Sequence, residues 1–287
     1  MSLREVLRSK NCGIKEEKKM AEVKKEREHT PKQSIGLFVS DNELSGYVYK
    51  KLKDKGINVF SFSFVSGGSV HTQVFQPGDI KGILSYLKKQ EITKLAFIGR
   101  VPAEIVFKDI HSSSDIFLQG EEPLSGEGIL KKIIAFLETE NIEVMPLTEI
   151  LQEELAEKKT YTETSLNKTE ANDVNTGVHL LSDIMKYRIG QSVAVKQGMI
   201  IAVEGVEGTD EMIRRAGMYC NAFAVVKTAG KDKDERFDIP VIGPRTIEIL
   251  KEAGGRVLAI EAGKTIIFDI AKTINLCNKN KITLIGI

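Results

Sequence analysis

The chain lacks most of the short patterns that mark a well-known chemistry. Its 287 residues include three cysteines, Cys12, Cys220 and Cys277. Odd in number and far apart, they offer no disulfide framework and no zinc spacing, which fits a reducing cytosol. No apolar run approaches the ~20 residues that span a bilayer. The N-terminus carries no apolar stretch of the secretory type, so no signal peptide is expected. The net charge of +1 gives no general pull toward nucleic acid, and none is expected as a partner. Gly-x-Ser-x-Gly, a Walker A loop and a complete Gly-x-Gly-x-x-Gly are all missing, which argues against a serine hydrolase, a P-loop NTPase and a standard dinucleotide enzyme. His29, His71, His111 and His179 have no partners at metal-ligand spacing. The cysteines have no nucleophile context.

What is present begins with enough apolar residues, 41%, for real cores. The length suits one large domain or two ordinary ones. Residues 1–33 hold ten Lys/Arg against six Asp/Glu and no aromatic residue. They read as a charged, solvated tail, partly helical around Glu16–Glu28. From Ser34 onward, apolar strands alternate with helical patterns. The strands are Ile35–Val39, Ile57–Phe62, Leu95–Ile98 and Ile142–Met145. The helices are Glu43–Lys55 behind an Asn42 cap, Asp79–Gln90, Gly126–Glu140 and Leu147–Leu155. This alternation predicts an α/β protein whose first domain, 34–156, is a Rossmann-like parallel sheet. The polar stretch 157–173 reads as a linker. The second domain, 174–287, opens with a helix Val174–Tyr187. Its strands Ser192–Lys196 and Met199–Val203 meet at Gln197-Gly198, a hairpin signal that predicts a mixed sheet. Helices Glu211–Met218, Arg245–Ala253 and Ile270–Asn278 alternate with strands Ala222–Lys227, Arg256–Ile260, Thr265–Phe268 and Ile282–Ile285.

The chemistry concentrates in the second domain. Glu204-Gly205-Val206-Glu207-Gly208-Thr209-Asp210 places three carboxylates and two glycines between a strand and a helix. A strand end feeding a helix N-terminus is a common ligand position in α/β folds. Carboxylates repel a bare phosphate, and a divalent cation, Mg²⁺ or Mn²⁺, removes that conflict. Thr209 is expected as N-cap, with Asp210 and Glu211 favoured by the helix dipole. Glu204 and Glu207 have no such structural explanation, which makes Glu204, Glu207 and Asp210 candidate metal ligands. Asp234 and Asp238 flank Arg236, and a carboxylate pair beside a guanidinium can hold a cation or a water while the arginine grips phosphate. Pro244 suits the first position of a helix, placing Arg245 and Thr246 beside free backbone N–H groups. Lys227, at a strand end, can join them. Glu261-Ala262-Gly263-Lys264 reads most simply as a turn.

Taken in order, these motifs resemble a known family. Gly190-Gln191-Ser192-Val193, Glu204 to Asp210, Arg214-Arg215-Ala216-Gly217, Arg236 to Thr246 and Glu261 to Lys264 are similar to the C-terminal domain of the LpxI-type UDP-2,3-diacylglucosamine pyrophosphatases. The resemblance is close over 173–287, and over 34–155 it extends to the layout. It implies two α/β domains with a lipid-linked UDP-sugar held between them. It implies hydrolysis to UMP and 2,3-diacylglucosamine 1-phosphate (lipid X) in lipid A biosynthesis, with Mg²⁺. The catalytic aspartate it implies maps to Asp234 or Asp238. Lys227, Arg236, Arg245, Thr246, Thr209 and Gln191 are then the candidate substrate-binding residues. A cytoplasmic enzyme that visits the inner membrane surface follows from such a substrate, and a homodimer through the C-terminal domain from the resemblance. Three departures stand out: Val39-Ser40-Asp41-Asn42-Glu43-Leu44 has no glycine in the first βα turn, Arg188 sits where an acid is usual, and the N-terminal tail is extra. The altered turn keeps a non-catalytic UDP-sugar or phospholipid-binding protein open as an alternative. A hydrolase of another nucleotide-sugar shares the metal logic.

Overall fold

A computed structural model describes residues 34–40, 42–64, 70, 72–76, 79–99, 126–187, 189–230, 234–236 and 239–287. The expected tail, 1–33, lies outside them. The N-terminal half runs β1 Ser34–Val39, α1 Glu43–Asp54, β2 Asn58–Ser63, β3 Gln73–Val74, α2 Ile80–Lys89, β4 Lys94–Ile98, α3 Gly126–Thr139, β5 Glu143–Val144 and α4 Leu147–Ile150. Its sheet has the order β3-β2-β1-β4-β5, every pair parallel. Such a sheet is covered on both faces, and β1 is accordingly a near-continuous buried apolar run. Alternation divides it: Leu37 and Val39 join Val48 and Leu151 on one face, while Phe38 joins Phe62, Phe97 and Leu87 on the other. The Asn42 side chain accepts from Ser45 N at 2.8 Å and starts α1, as its sequence predicts. The strand order reverses at β1 and β4, so a crevice opens beyond their carboxyl ends.

The C-terminal half runs α5 Lys168–Ile184, β6 Ser192–Lys196, β7 Met199–Val203, α6 Thr209–Gly217, β8 Ala224–Lys227, β9 Val241–Ile242, α7 Pro244–Glu252, β10 Val257–Ile260, β11 Ile266–Ile267, α8 Ile270–Lys279 and β12 Thr283–Gly286. Its main sheet is mixed, in the order β12-β10-β8-β6-β7. Strands β8, β10 and β12 are parallel, and β6 is antiparallel to both neighbours. The hairpin turn has Gln197 and Gly198 both at positive φ, 51° and 75°, the conformation that matches strand twist. Buried Asp173 locks it by accepting from both turn N–H groups, at 3.0 and 2.7 Å.

Helix α5 begins six residues before the expected Val174. Asn167 and Glu170 form a reciprocal capping box there, and its Asn-x-x-Glu spacing is submerged in a polar stretch. Ahead of it, the chain lies along β12, with Tyr161 N donating to Leu284 O and Gly286 N to Lys159 O, both at 2.9 Å. This covers a sheet edge. Midway along α5, a Cβ on Gly177 would sit 2.6 Å from Val226 Cγ2, so the glycine permits the helix to approach the sheet.

A separate two-stranded sheet, β9 with β11, joins the halves. Ile266 is fully buried in the N-terminal core, with Ile239, Val241 and Phe268 packed beside it. The Tyr47 and Phe268 rings meet at 5.9 Å.

Candidate active site

A cleft of about 650 Å³ lies where the carboxyl ends of β1, β2 and β4 face the C-terminal half. Its N-terminal wall is largely apolar, with Phe38, Leu44, Phe64, Phe97 and Leu147 beside Ser40, Asn42 and Gly99. The opposite wall is polar and carries Gln191, Glu207, Thr209, Asp210, Lys227, Arg236, Arg245 and Thr246. Eight of the residues singled out in the sequence, from Gln191 to Thr246, therefore come together by the folding of one sheet end against two helices. Glu204 and Asp234 stand behind that wall, and Asp238 lies outside the described residues.

The two helices α6 and α7 begin at the cleft. Gly208 at φ 87° is the N-cap of α6, and Thr209 is its first helical residue. The expected Thr209 cap is thus corrected: the chain turns through a left-handed position that favours glycine, leaving the Thr209 hydroxyl for other side chains. Gly243 is the N-cap of α7, with Pro244 next. Neither helix has a side-chain cap. Helices α1, α2, α5 and α8 are capped by Asn42, Asp79, Asn167 and Asp269. The first turns of α6 and α7 thus offer the cleft N–H groups that no N-cap side chain satisfies.

Thr209 Oγ1 is the meeting point of four elements. It receives a hydrogen bond from Lys227 Nζ at 2.7 Å, donates to Glu204 Oε2 at 3.1 Å and bonds Ser192 Oγ at 3.2 Å. Glu204 Oε2 also accepts from Gln191 N at 3.3 Å. Glu204 is 1% exposed and Lys227 4%, so both are held inside the protein by their polar partners. A Cβ on Gly190 would meet Glu204 O at 2.3 Å, which accounts for the glycine of the Gly-Gln-Ser motif.

Glu207 accepts from Gly205 N at 3.1 Å and from Arg215 Nη2 at 2.5 Å. Burial pushes its carboxyl up, but its backbone donors and Arg215 outweigh that and hold it below the ordinary range. Asp210 and Arg245 face each other at 3.5 Å, linking the first turns of α6 and α7. Arg236 grips both Asp234 oxygens through Nε at 2.8 Å and Nη2 at 2.6 Å, and reaches Glu138 of α3 through Nη1 at 2.6 Å. Arg236 accordingly holds the Asp234 carboxyl below its usual range, against a smaller effect of burial.

One contribution is missed by the sequence reading. Glu261 is more than part of a turn: it accepts from Ala229 N at 2.8 Å and pairs with Lys264 at 2.9 Å, while Lys264 donates to Gly230 O at 3.2 Å. Together they pin the loop that leaves Lys227. The acid and lysine three apart around Gly263 are the signal.

The donor set for a divalent cation is partial. Among the described residues no three His, Cys, Asp or Glu side chains gather as a metal group. Glu204 turns inward to Thr209 and Gln191. Glu207 and Asp210 remain on the cleft wall, which fits the one or two carboxylates Mg²⁺ takes when substrate phosphates supply further oxygens. Cys277 is buried, its thiol pushed up to about 12, and offers no nucleophile.

Fold and site together define a two-part α/β protein with a cleft between an apolar wall and a polar wall that carries Lys227, Arg236 and Arg245. The LpxI N-terminal domain matches residues 34–154 and the LpxI C-terminal domain residues 157–285. The chain belongs to the LpxI family. It is similar to the UDP-2,3-diacylglucosamine pyrophosphatase LpxI of Caulobacter vibrioides, 28% identical over 152 residues that make up 50% of this chain and 54% of that protein. The similarity thus spans about half the length of that relative.

Proposed function

We propose that this chain hydrolyses the pyrophosphate of UDP-2,3-diacylglucosamine, giving UMP and 2,3-diacylglucosamine 1-phosphate in lipid A biosynthesis. The observation that carries this reading is the pairing of two helix N-termini without side-chain caps, α6 and α7, on one cleft wall with Lys227, Arg236 and Arg245. Two anion sites side by side suit a diphosphate better than a single phosphate. The apolar wall opposite suits the acylated sugar. Family membership and the name of the Caulobacter relative support the same chemistry.

In this reading a water oxygen bonds to one phosphorus as that phosphorus loses its bond to the bridging oxygen. The bridging oxygen leaves on the other phosphate, so both products are monophosphates. Arg245, Lys227 and the N–H groups of Thr209 and Thr246 bind the phosphate oxygens, more tightly as charge grows on them. Mg²⁺, or Mn²⁺, bound by Glu207, Asp210 and the pyrophosphate would neutralise charge and acidify a water. Both Asp234 oxygens serve Arg236, so Asp234 orients that guanidinium. The proton-accepting role at the water then goes to Asp238, the second of the two aspartates that the family resemblance points to. The substrate is a lipid, so the chain works at the inner membrane surface from the cytoplasmic side. No helix among the described residues is long and apolar enough to cross a membrane. A homodimer through the C-terminal half belongs to this reading as well. It is supported by β7, an outer strand of the sheet with Met199 and Ile200 exposed.

The test is UMP release from UDP-2,3-diacylglucosamine by the purified chain with Mg²⁺. Asp238→Ala is expected to lose at least ~10²-fold in kcat, and Asp234→Ala less, through a raised KM as Arg236 loosens. Tight binding of the substrate without release of UMP contradicts the reading.

A further inference from the structure

We infer that Thr209, backed by Glu204 and Ser192, is a positioning residue that aims the buried Lys227 ammonium into the cleft. The inference rests on the hydrolase reading above for its effect on turnover, and on the geometry alone for its effect on Lys227.

A hydroxyl can donate once and accept twice. Glu204 Oε2 accepts from Thr209 Oγ1 at 3.1 Å, which takes the one hydroxyl proton. Lys227 Nζ donates to the same oxygen at 2.7 Å. Ser192 Oγ, at 3.2 Å, is then the second donor to it. The Thr209 hydroxyl is saturated inside the protein and has no capacity left for a phosphate oxygen. It lines the cleft, but its work is directed backward, toward β6, β7 and β8.

The sequence explains why this arrangement can be built. Ser192 is the first residue of β6, Lys227 the last of β8, and β6 lies between β7 and β8 in the sheet. Glu204 follows β7 directly, and Thr209 opens α6. Ser192 and Lys227 are register partners on adjacent strands. Gly208 at φ 87° places Thr209 at the first helical position, where its hydroxyl faces the strand ends. A threonine has a stiff χ1, which suits a fixed hinge point between a lysine and a glutamate.

Lysine is a flexible side chain with a compact charge. Fixed in advance, its ammonium needs no reorganisation when phosphate charge develops. Networks of this kind act as a unit, because loss of one member leaves the others buried with a partner fewer. Glu204 accordingly has its place as support for Thr209 and Gln191, and metal binding falls to the cleft-facing acids.

Three proteins test this: wild type, Thr209→Val, which keeps the shape and removes the hydroxyl, and Thr209→Ser, which restores it. Turnover is followed as UMP release, and Lys227 separately by its rate of acetylation by acetic anhydride, read by mass spectrometry. In Thr209→Val, kcat is expected to fall ~10²-fold, as for a misplaced binding group. Lys227 acetylation is expected to change several-fold, with Mg²⁺ concentration dependence close to wild type and a melting temperature lower by a few degrees, as loss of buried hydrogen bonds entails. Thr209→Ser is expected to recover most of the turnover and the wild-type acetylation rate. Ser192→Ala, which removes a donor to the same hydroxyl, provides a second variant if Thr209→Val does not fold; it is expected to shift Lys227 acetylation in the same direction. Wild-type turnover and acetylation in Thr209→Val, or failure of Thr209→Ser to recover either, overturns the inference. Wild-type chain that releases no UMP while Lys227 acetylation follows the expected pattern overturns the hydrolase reading and upholds the positioning role.

Discussion

Asp234 and Glu207 are both carboxylates answered by an arginine, and both have their carboxyl groups held below the ordinary 3.8 and 4.5. A group whose pKa falls on folding stabilises the folded state above its unfolded value, and that contribution is lost as pH drops through the lower folded value. These two acids therefore support the cleft fully near neutral pH and cease to do so in the acid range below about 4. Asp234→Asn is expected to be less stable than wild type at neutral pH by about 1 kcal/mol or less, since the Asp234–Arg236 pair is partly solvated. Urea midpoints measured from neutral pH down through the acid range check this. The gap should close as pH falls below 3.8, and a gap that stays constant with pH would show that charge is not its cause. At this scale the residue types of the site were readable from sequence, since Arg236, Arg245, Lys227 and Asp210 all reach the cleft or its wall. Their partners were not. Nothing in the local spacing says that Arg236 meets Glu138, 98 residues away, or that Glu204 points inward.

Secondary-structure elements followed the sequence closely wherever one period ruled. Four of the five strands of the first sheet, helix α1 with its Asn42 cap and the Gln197-Gly198 hairpin rest on local chemistry that a few residues encode, whereas the two-residue edge strand β3 was not expected. The helix expected over Leu147–Leu155 is α-helical to Ile150 and ends in a 3-10 turn, Gln152–Glu154, and two helix starts shifted for physical reasons. Helix α5 starts at Lys168 because a capping box outweighs a polar composition, and α6 starts after Gly208 because a left-handed backbone position outranks a good side-chain cap. The short β9–β11 pair was only half legible: β11 falls within the expected strand Thr265–Phe268, whereas β9 was not expected, because its pairing depends on tertiary packing. Gly190 ties these elements to the site. Its would-be Cβ meets the Glu204 carbonyl at 2.3 Å, and that backbone is itself fixed, with Glu204 N on Ser192 O at 2.9 Å. Gly190→Ala is expected to destabilise the chain by ~1–3 kcal/mol, as overpacking does, and to lower kcat by displacing Glu204 from Thr209. Thermal melting and UMP release, measured together, check this. An unaltered melting temperature with full turnover would mean that the approach of Gly190 to Glu204 is dispensable.

Across the whole molecule, the cleft exists because the two halves are not independent. Ile266, from the second half of the chain, is buried in the core of the first, and Arg236 reaches across to α3. The reversal of strand order at β1 and β4 supplies one wall, and the ends of β7 and β8 with the starts of α6 and α7 supply the other. The two-part α/β design was legible from alternation alone, while the cleft was not, since it depends on how the halves meet. In the proposed reading, an apolar wall facing two helix N-termini and the cationic Lys227, Arg236 and Arg245 means that the acylated part of the substrate matters as much as the diphosphate. The most direct measurement compares UMP release from UDP-2,3-diacylglucosamine with release from UDP-N-acetylglucosamine, using the purified full-length chain and Mg²⁺. The account predicts equimolar UMP and 2,3-diacylglucosamine 1-phosphate from the diacylated substrate, at a kcat/KM at least ~10²-fold above that for the unacylated one. Equal rates on both, or no UMP from either, would contradict it.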